Sequence, residues 1–174
     1  METFLDPNLV LDQAEIIDDM LAVDFGCGSG GWAIPLAKRL KNGMVFAVDL
    51  LPEPLSALEG KIKAENLDHI HLVKANVESE NPLPLIKENS LDLVLMTNLL
   101  FQVDDKKQPF LQAKRVLKTD GRILVVDWKS DSKIGPEKKV SPEEVKKIGE
   151  ELGLTFEKEF SAGAYHWALI LVKQ

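Results

Sequence analysis

The sequence predicts an α/β fold: a mostly parallel sheet flanked by helices and closed by an antiparallel hairpin. Three observations carry this. Strand-like and helix-like segments alternate along the chain, which implies parallel strands joined by right-handed crossovers. Several strands are continuous apolar runs, such as "ILVV" at Ile123–Val126, which suit strands covered on both faces. The last two strand-like runs, Leu154–Phe160 and Tyr165–Val172, are separated only by Ser161-Ala162-Gly163-Ala164, a hairpin signal. A chain of 174 residues suits one domain, spanning residues 1–174.

Taken in order, Asp6-Pro7 reads as an N-cap followed by proline at the first helical position, and starts a short helix over residues 6–18. "MLAVDF" (Met20–Phe25) is a buried strand. "GWAIPLAKRL" (Gly31–Leu40) has helical spacing, with Pro35 tolerated near its first turn, and Asn42-Gly43 stops it. A strand at Met44–Leu50, a helix at Pro54–Glu65 and a strand at His69–Ala75 follow. Glu78–Ser90 is a loop broken by Pro82 and Pro84, and Leu91–Thr97 is the next strand. A helix over Lys106–Leu117 ends at a Thr119–Gly121 turn, and Arg122–Trp128 is a strand. After a polar loop, Lys129–Val140, Ser141 caps a helix with Pro142 at its first position, running to Leu152.

Composition narrows the function. Hydrophobic residues make up 45% and charged residues 28%, ordinary for a globular protein. The net charge of −7 argues against broad binding to nucleic acid or an anionic membrane. The single cysteine, Cys27, allows no internal disulfide. The start, "METFLDPNLV", lacks a signal-peptide pattern. The nearly apolar stretch "LDLVLMTNLLF" holds Asp92, Thr97 and Asn98, too short and polar to span a bilayer. A cytoplasmic protein is expected.

Chemistry concentrates at the first strand–helix turn, "VDFGCGSGGW". Gly26, Gly28 and Gly30 form GxGxG, and Gly31 completes GxGxxG. Glycines there permit a tight turn and close backbone approach to a ligand, and the following helix start offers free N–H groups. Alone, the motif does not choose between a nucleotide-type cofactor, NAD and a bare connecting loop. Asp49 ends the second strand, where a carboxylate accepts hydrogen bonds from a ribose diol. Asp24 sits just before the first glycine at the end of an apolar strand. Burying it is costly without a partner. An ammonium group or backbone donors would serve; a diphosphate would repel it, which argues against NAD.

Together, "AVDFGCGSGGWAIPLA" and "VFAVDL" resemble motif I and the acidic motif after it in class I S-adenosylmethionine-dependent methyltransferases. "SLDLVLMTNLLFQV" resembles their motif IV, and "AKRVLKTDGRILVVDW" the segment entering their fifth strand. The likeness is greatest with the small-molecule branch that includes ubiquinone and menaquinone methyltransferases. It implies a Rossmann-like three-layer sandwich with a seven-stranded sheet of order 3-2-1-4-5-7-6. It implies S-adenosylmethionine as cofactor: Asp24 and the loop of Gly26, Cys27, Gly28 and Gly30 on the methionine part, Asp49 on the ribose, and Leu50 beside the adenine. Asn76-Val77 takes the position where the family usually has Asp before an apolar residue, so the Asn76 carbonyl replaces a carboxylate as acceptor for the adenine amino group. Asn98, with Leu99, lies beside the cofactor.

Methyl transfer from a sulfonium needs placement of the acceptor and exclusion of water rather than a metal, and a base only where the acceptor keeps its proton. "TNLLF" lacks the Asn/Asp-Pro-Pro-Tyr/Phe pattern of adenine and glutamine methylases, and no Pro-Cys nucleophile is present, so a small-molecule acceptor is expected rather than nucleic acid. Cys27 reads as packing. His69 and His71 share one face of a strand but lack further metal ligands nearby. "AYHWA" is unusual in a chain with 6% aromatics. Tyr165 and His166 either line the acceptor pocket, with His166 as base, or form an aromatic cluster over the sheet. Trp128, Lys129, Phe101 and Gln102 end strands on the ligand edge. The Lys129–Val140 loop is long enough for a lid, its lysines either drawing an acidic substrate or facing solvent. Only a short segment precedes the first strand, which leaves an open pocket, one completed in a homodimer, or a larger acceptor such as a protein. Two rival functions stand beside the methyltransferase: an NAD-dependent oxidoreductase and a non-catalytic cofactor-binding module.

Overall fold

The computed structural model describes residues 4–80 and 83–174; the break expected at Pro82 lies outside them. Seven strands form one sheet of order β3-β2-β1-β4-β5-β7-β6. They are β1 (Leu21–Phe25), β2 (Met44–Asp49), β3 (Ile70–Lys74), β4 (Leu91–Thr97), β5 (Leu117–Trp128), β6 (Leu154–Ser161) and β7 (His166–Lys173). The first five pair in parallel, and β7 runs antiparallel to both β5 and β6. Among the described residues the helices are α1 (Pro7–Leu11), α2 (Ala33–Arg39), α3 (Pro52–Glu65), α4 (Lys107–Val116) and α5 (Pro142–Glu151).

The apolar residues divide by sheet face. Val10, Leu36, Leu58 and Ile62 of α1–α3 pack with Ala22, Leu95, Leu124 and Ile170. Phe110 and Ala113 of α4 and Val145 and Ile148 of α5 pack with Val23, Phe25, Val125 and Leu169. The period of two along a strand makes this inevitable: alternate side chains feed opposite cores. The result is the expected three-layer α/β sandwich with its closing hairpin.

Two local expectations fail. The first helix ends at Leu11, and Glu15 takes a left-handed backbone with φ of 51°. Short helices depend on packing rather than propensity. Here Arg39 clamps this segment sideways, donating to Asn8 Oδ1 at 2.7 Å, Asn8 O at 2.9 Å and Asp12 Oδ1 at 2.7 Å. The Thr119–Gly121 turn is instead part of β5. Pairing passes from Leu91↔Leu117 to Leu93↔Arg122, so the extra residues form a bulge with Asp120 at φ 62°. The other elements lie within about two residues of expectation, the usual scatter of helix and strand ends. Both expected caps form: Asp6 Oδ1 accepts the Asn8 N–H at 2.9 Å, and Ser141 Oγ the Glu144 N–H at 3.1 Å. No helix among the described residues is long and apolar enough to cross a membrane.

Candidate active site

The parallel strands deliver their C-terminal ends to one edge, where ligands bind in open α/β sheets. The turn from β1 to α2 is anchored there by two amides: Gly26 and Cys27 donate to the Val48 carbonyl of β2 at 2.8 and 2.9 Å. Gly28 has φ of +53° and open space around its missing Cβ. Gly30, at φ +90°, lies so close to α3 that a Cβ would stand 2.4 Å from Leu58 Cδ1. One glycine therefore faces the ligand side and the other allows the turn to seat on the helix.

Asp49 ties this turn to the next one. Its Oδ2 accepts the Gly28 N–H and its Oδ1 the Leu51 N–H, both at 2.9 Å. Each oxygen keeps acceptor capacity, because an ionised carboxylate has about four lone-pair sites. A cleft of 380 Å³ opens beside it. Gly26, Gly28, Asp49, Leu50, Asn76, Val77 and Leu99 line that cleft, so the turn after β1, the ends of β2 and β3 and the turn after β4 meet as expected. Glu78, Gln102, Val103 and Pro54 line it too. Of these, only Gln102 was legible as a ligand-edge residue. Glu78 is placed by its Oε1, which accepts the Asp104 and Asp105 amides at 2.8 and 2.9 Å, a pairing across two loops that no local pattern reveals.

Four expected cofactor residues do not line the cleft. Gly30 packs on α3. Cys27 is buried, and burial, reinforced by the charges of Asp24 and Asp49, pushes its thiol far up, which leaves it protonated and unreactive. Asn98 sits at φ 51°, its N–H held by Val126 O at 2.8 Å and its carbonyl accepting from Gln102 Nε2 at 2.6 Å. Asp24 is fully buried on the α1–α3 face. Neither of its oxygens finds a partner among the described residues. Desolvation, then the charge of Asp49, pushes its pKa up to about 8, with the Ala33 amide pulling the other way. A buried carboxyl without a partner is costly in the folded chain and points to a ligand donor.

At the β3 end of the cleft, the Asn76 side-chain oxygen accepts the Glu78 N–H at 2.9 Å, and the Asn76 main-chain oxygen accepts from Ser79 N at 3.0 Å and Ser79 Oγ at 2.8 Å. This Asx turn leaves the amide NH₂ as the unspent donor of that side chain.

A second group lies on the same face as Asp24. Alternation from the residues packed on that core puts Thr97 of β4, Trp128 of β5 and His166 of β7 there. His166 lies three strand spacings from Asp24, about 14 Å across the sheet, and is offset by four residues, about 13 Å, along it toward the C-terminal ends of the parallel strands. His166 is fully buried beside Trp128, ring centroids 4.2 Å apart, and neither ring nitrogen has a hydrogen-bonding partner among the described residues. Burial first, then the Lys129 charge, lowers its pKa, and the nearby Phe4 backbone offsets this in part. The imidazole is therefore neutral at pH 7 and able to accept a proton.

The Lys129–Val140 loop is pinned at both ends by one indole: Trp167 Nε1 donates to Trp128 O at 3.0 Å and Val140 O at 3.1 Å. Lys129 Nζ bonds Gly163 O at 2.9 Å and Ala164 O at 3.2 Å, and Lys139 Nζ bonds Ser132 O at 3.0 Å. These two lysines fasten loop and hairpin rather than face a ligand. His69 is also accounted for, its Nε2 lying 2.9 Å from Ala37 O, and no metal-binding group of three is found among the described residues. Asp127, which the sequence did not single out, is buried on the opposite face. Its Oδ1 accepts the Trp128 N–H at 2.8 Å, and burial raises its pKa to about 6 against the Trp128, Leu100 and Phe101 amides.

Comparison with known proteins agrees with this geometry. Residues 22–121 match the model of a family described as a methyltransferase domain. The demethylmenaquinone methyltransferase of Anoxybacillus flavithermus is 30% identical over 115 residues, covering 66% of this chain and 47% of that protein. The chain thus spans about half the length of the curated relatives it matches. Among solved structures, a SAM-dependent methyltransferase from Aquifex aeolicus superimposes with a TM-score of 0.88 at 23% identity, covering 98% of this chain and 90% of that one. Geranyl diphosphate C-methyltransferase from Streptomyces coelicolor A3(2) gives 0.79 at 14%, covering 97% and 79%. The glycine turn hooked to Asp49, the strand order and the family match converge: this chain belongs to the class I S-adenosylmethionine-dependent methyltransferases.

Proposed function

We propose that this chain binds S-adenosylmethionine in the Asp49 cleft and methylates a small-molecule acceptor by in-line transfer. The observation that carries it is the Asp49 carboxylate, oriented by two amides and open toward the cleft beside Gly28. Its free acceptor sites suit the two ribose hydroxyls. Leu50, Val77 and Leu99 supply apolar walls for the adenine, and Asn76 contributes the edge contact. Asp24 fits the ammonium of the methionine part, whose positive charge would relieve its unpartnered burial. The same carboxylate counts against a diphosphate and so against NAD.

When bound, S-adenosylmethionine supplies an electrophilic methyl group and keeps the sulfur–carbon electron pair. The rest falls to the chain. Trp128, Tyr165 and His166 seat the acceptor on the sheet face shared with Asp24. Burial excludes water, and proximity supplies most of the rate, up to about 7–11 kcal/mol of the barrier. His166, neutral and unpartnered, takes the proton the acceptor gives up. Tyr165 positions the acceptor.

A thermal-shift series with S-adenosylmethionine, S-adenosylhomocysteine, NAD and NADP, repeated on Asp49→Ala, tests the cofactor. Ligand at 100 times its dissociation constant adds about 2.7 kcal/mol, a midpoint rise of roughly 2–8 °C for domains of this size range. A rise with the adenosyl ligands alone, lost in the variant, is expected. A rise with NAD, or with none, overturns the reading. An acceptor screen with products identified by mass separates an enzyme from a binding module.

A further inference from the structure

Glu78 bridges the two walls of the cleft. Asn76 and Val77, after β3, form one wall, and Leu99, Gln102 and Val103, in the turn after β4, form the other. Glu78 follows the first wall in sequence, and its side chain crosses to the far side, where Oε1 accepts the Asp104 and Asp105 amides at 2.8 and 2.9 Å. Its own backbone N–H is held by Asn76 Oδ1 at 2.9 Å. The residue is therefore fixed at main chain and side chain. A long acidic side chain ordinarily loses rotamer freedom when a ligand arrives, and here that loss comes beforehand.

The second carboxylate oxygen differs from the first. Oε2 makes no hydrogen bond among the described residues, and Glu78 lines the cleft. Asn76 has less to offer. The Glu78 N–H requires an oxygen opposite it, so the Asn76 oxygen is half spent and the open half of the amide is its NH₂, a donor. A donor cannot receive the exocyclic amine of an adenine. Gln102 spends its NH₂ on Asn98 O at 2.6 Å and keeps a neutral oxygen. A hydrogen bond to an ionised carboxylate is roughly twice as strong as one to a neutral oxygen. Asp104 and Asp105, whose amides hold Glu78, carry charge of its own sign, so this wall attracts N–H groups and repels anions.

We propose that Glu78 sets the base specificity of the cleft: its Oε2 accepts the exocyclic amine of the adenine, while Asn76 orients Glu78 and donates from its NH₂ to a ring nitrogen. This rests on the cofactor reading proposed above. The acid that the resemblance places at the position of Asn76 thus has its counterpart two residues further along the chain. Glu78→Gln isolates this role. Only the new amide oxygen can accept the Asp104 and Asp105 amides, so the NH₂ turns to the cleft and meets the adenine amine donor against donor.

The test is calorimetric titration of the whole chain with two ligands, S-adenosylhomocysteine and its 6-deamino analogue, which carries hydrogen in place of the amine. The wild type should bind S-adenosylhomocysteine at least about tenfold more tightly, the scale of a hydrogen bond to a charged group. In Glu78→Gln this preference should vanish through lost affinity for S-adenosylhomocysteine, with the analogue unchanged. Equal affinities in the wild type overturn the proposal. So does a preference that survives in Glu78→Gln, which assigns the amine to Asn76 or Gln102, and so does an equal loss of both ligands, which leaves Glu78 a brace alone. If Glu78→Gln fails to fold, the ¹³C NMR signal of the Glu78 carboxylate in the wild type reads the contact. It should move with S-adenosylhomocysteine and not with the analogue, and equal movement overturns the proposal. A wild type that binds neither ligand brings down the methyltransferase reading and this inference with it, an outcome distinct from binding that ignores the amine.

Discussion

The Oδ2 atom of Asp49 accepts the Gly28 amide proton at 2.9 Å, so the turn after β1 and the turn after β2 form one hydrogen-bonded unit. With Leu51 N–H on Oδ1, the carboxylate is fixed before any ligand arrives. Asp49→Asn keeps the shape but loses the charge and one of two acceptor oxygens. A hydrogen bond to a charged group contributes about 1.5–3 kcal/mol, so affinity for S-adenosylhomocysteine should fall roughly 10- to 150-fold. Calorimetric titration of the two proteins decides it, and an unchanged constant removes Asp49 from the site.

The glycines separate by role. Gly30→Ala drives a methyl group to 2.4 Å from Leu58 Cδ1 at a strained φ of +90°. Overpacking of this kind costs about 1–3 kcal/mol, and the backbone strain adds to it. Gly28→Ala, at φ +53°, carries backbone strain but meets nothing within 4 Å, and Gly28 lines the cleft, so its methyl takes up ligand space. Urea midpoints should therefore fall most for Gly30→Ala, and cofactor affinity most for Gly28→Ala.

Asp24 makes stability depend on pH. Its folded pKa, about 8, lies above the ordinary value of 3.8, so the folded chain holds a proton that the unfolded chain releases. Stability is fully present below the unfolded value and declines as pH rises toward 8, by up to about 1.4 kcal/mol per pH unit. Asp127, raised to about 6, adds to the decline only at lower pH. His166 works the other way: its lowered pKa costs stability as pH falls below 6.5. Between pH 6.5 and 8 the decline belongs to Asp24. Denaturation curves across that window should fall in the wild type and flatten in Asp24→Asn, which should also bind cofactor poorly. In the wild type, ligand binding below pH 8 should release a proton, seen as a buffer-dependent binding enthalpy.

For catalysis, His166→Gln should lower kcat by roughly 10²–10⁴ once an acceptor is known, with little change in cofactor affinity. The wild-type profile should lose rate on an acid limb below pH 6.5, because the free imidazole is the active form. An identical profile in the variant removes the base.

The fold was legible because its signals are local and periodic. Apolar runs at Val23, Val94 and Ile123–Val126 report strands covered on both faces, and the Ser141-Pro142 start and the Asp6 cap appear as read. The first helix was overextended because nothing between Leu11 and Leu21 announces the Arg39 clamp, which comes from another element. The Thr119–Gly121 turn was misread because a bulge and a turn share the same residues; only pairing with β4 tells them apart.

The glycine turn, Asp24 and Asp49 could be read from the chain alone because strand, turn and helix are consecutive, so short-range sterics and the cost of a buried charge act on adjacent residues. Asp24's missing partner, the Glu78 brace across two loops and the place of Phe4 over His166 required tertiary structure. Each depends on a contact between residues far apart in sequence, and such contacts are chosen by how the two cores pack rather than by any local preference. The same packing turns His166 from an exposed titrating side chain into a buried neutral one, since burial and the neighbouring Lys129 exist only in the folded chain.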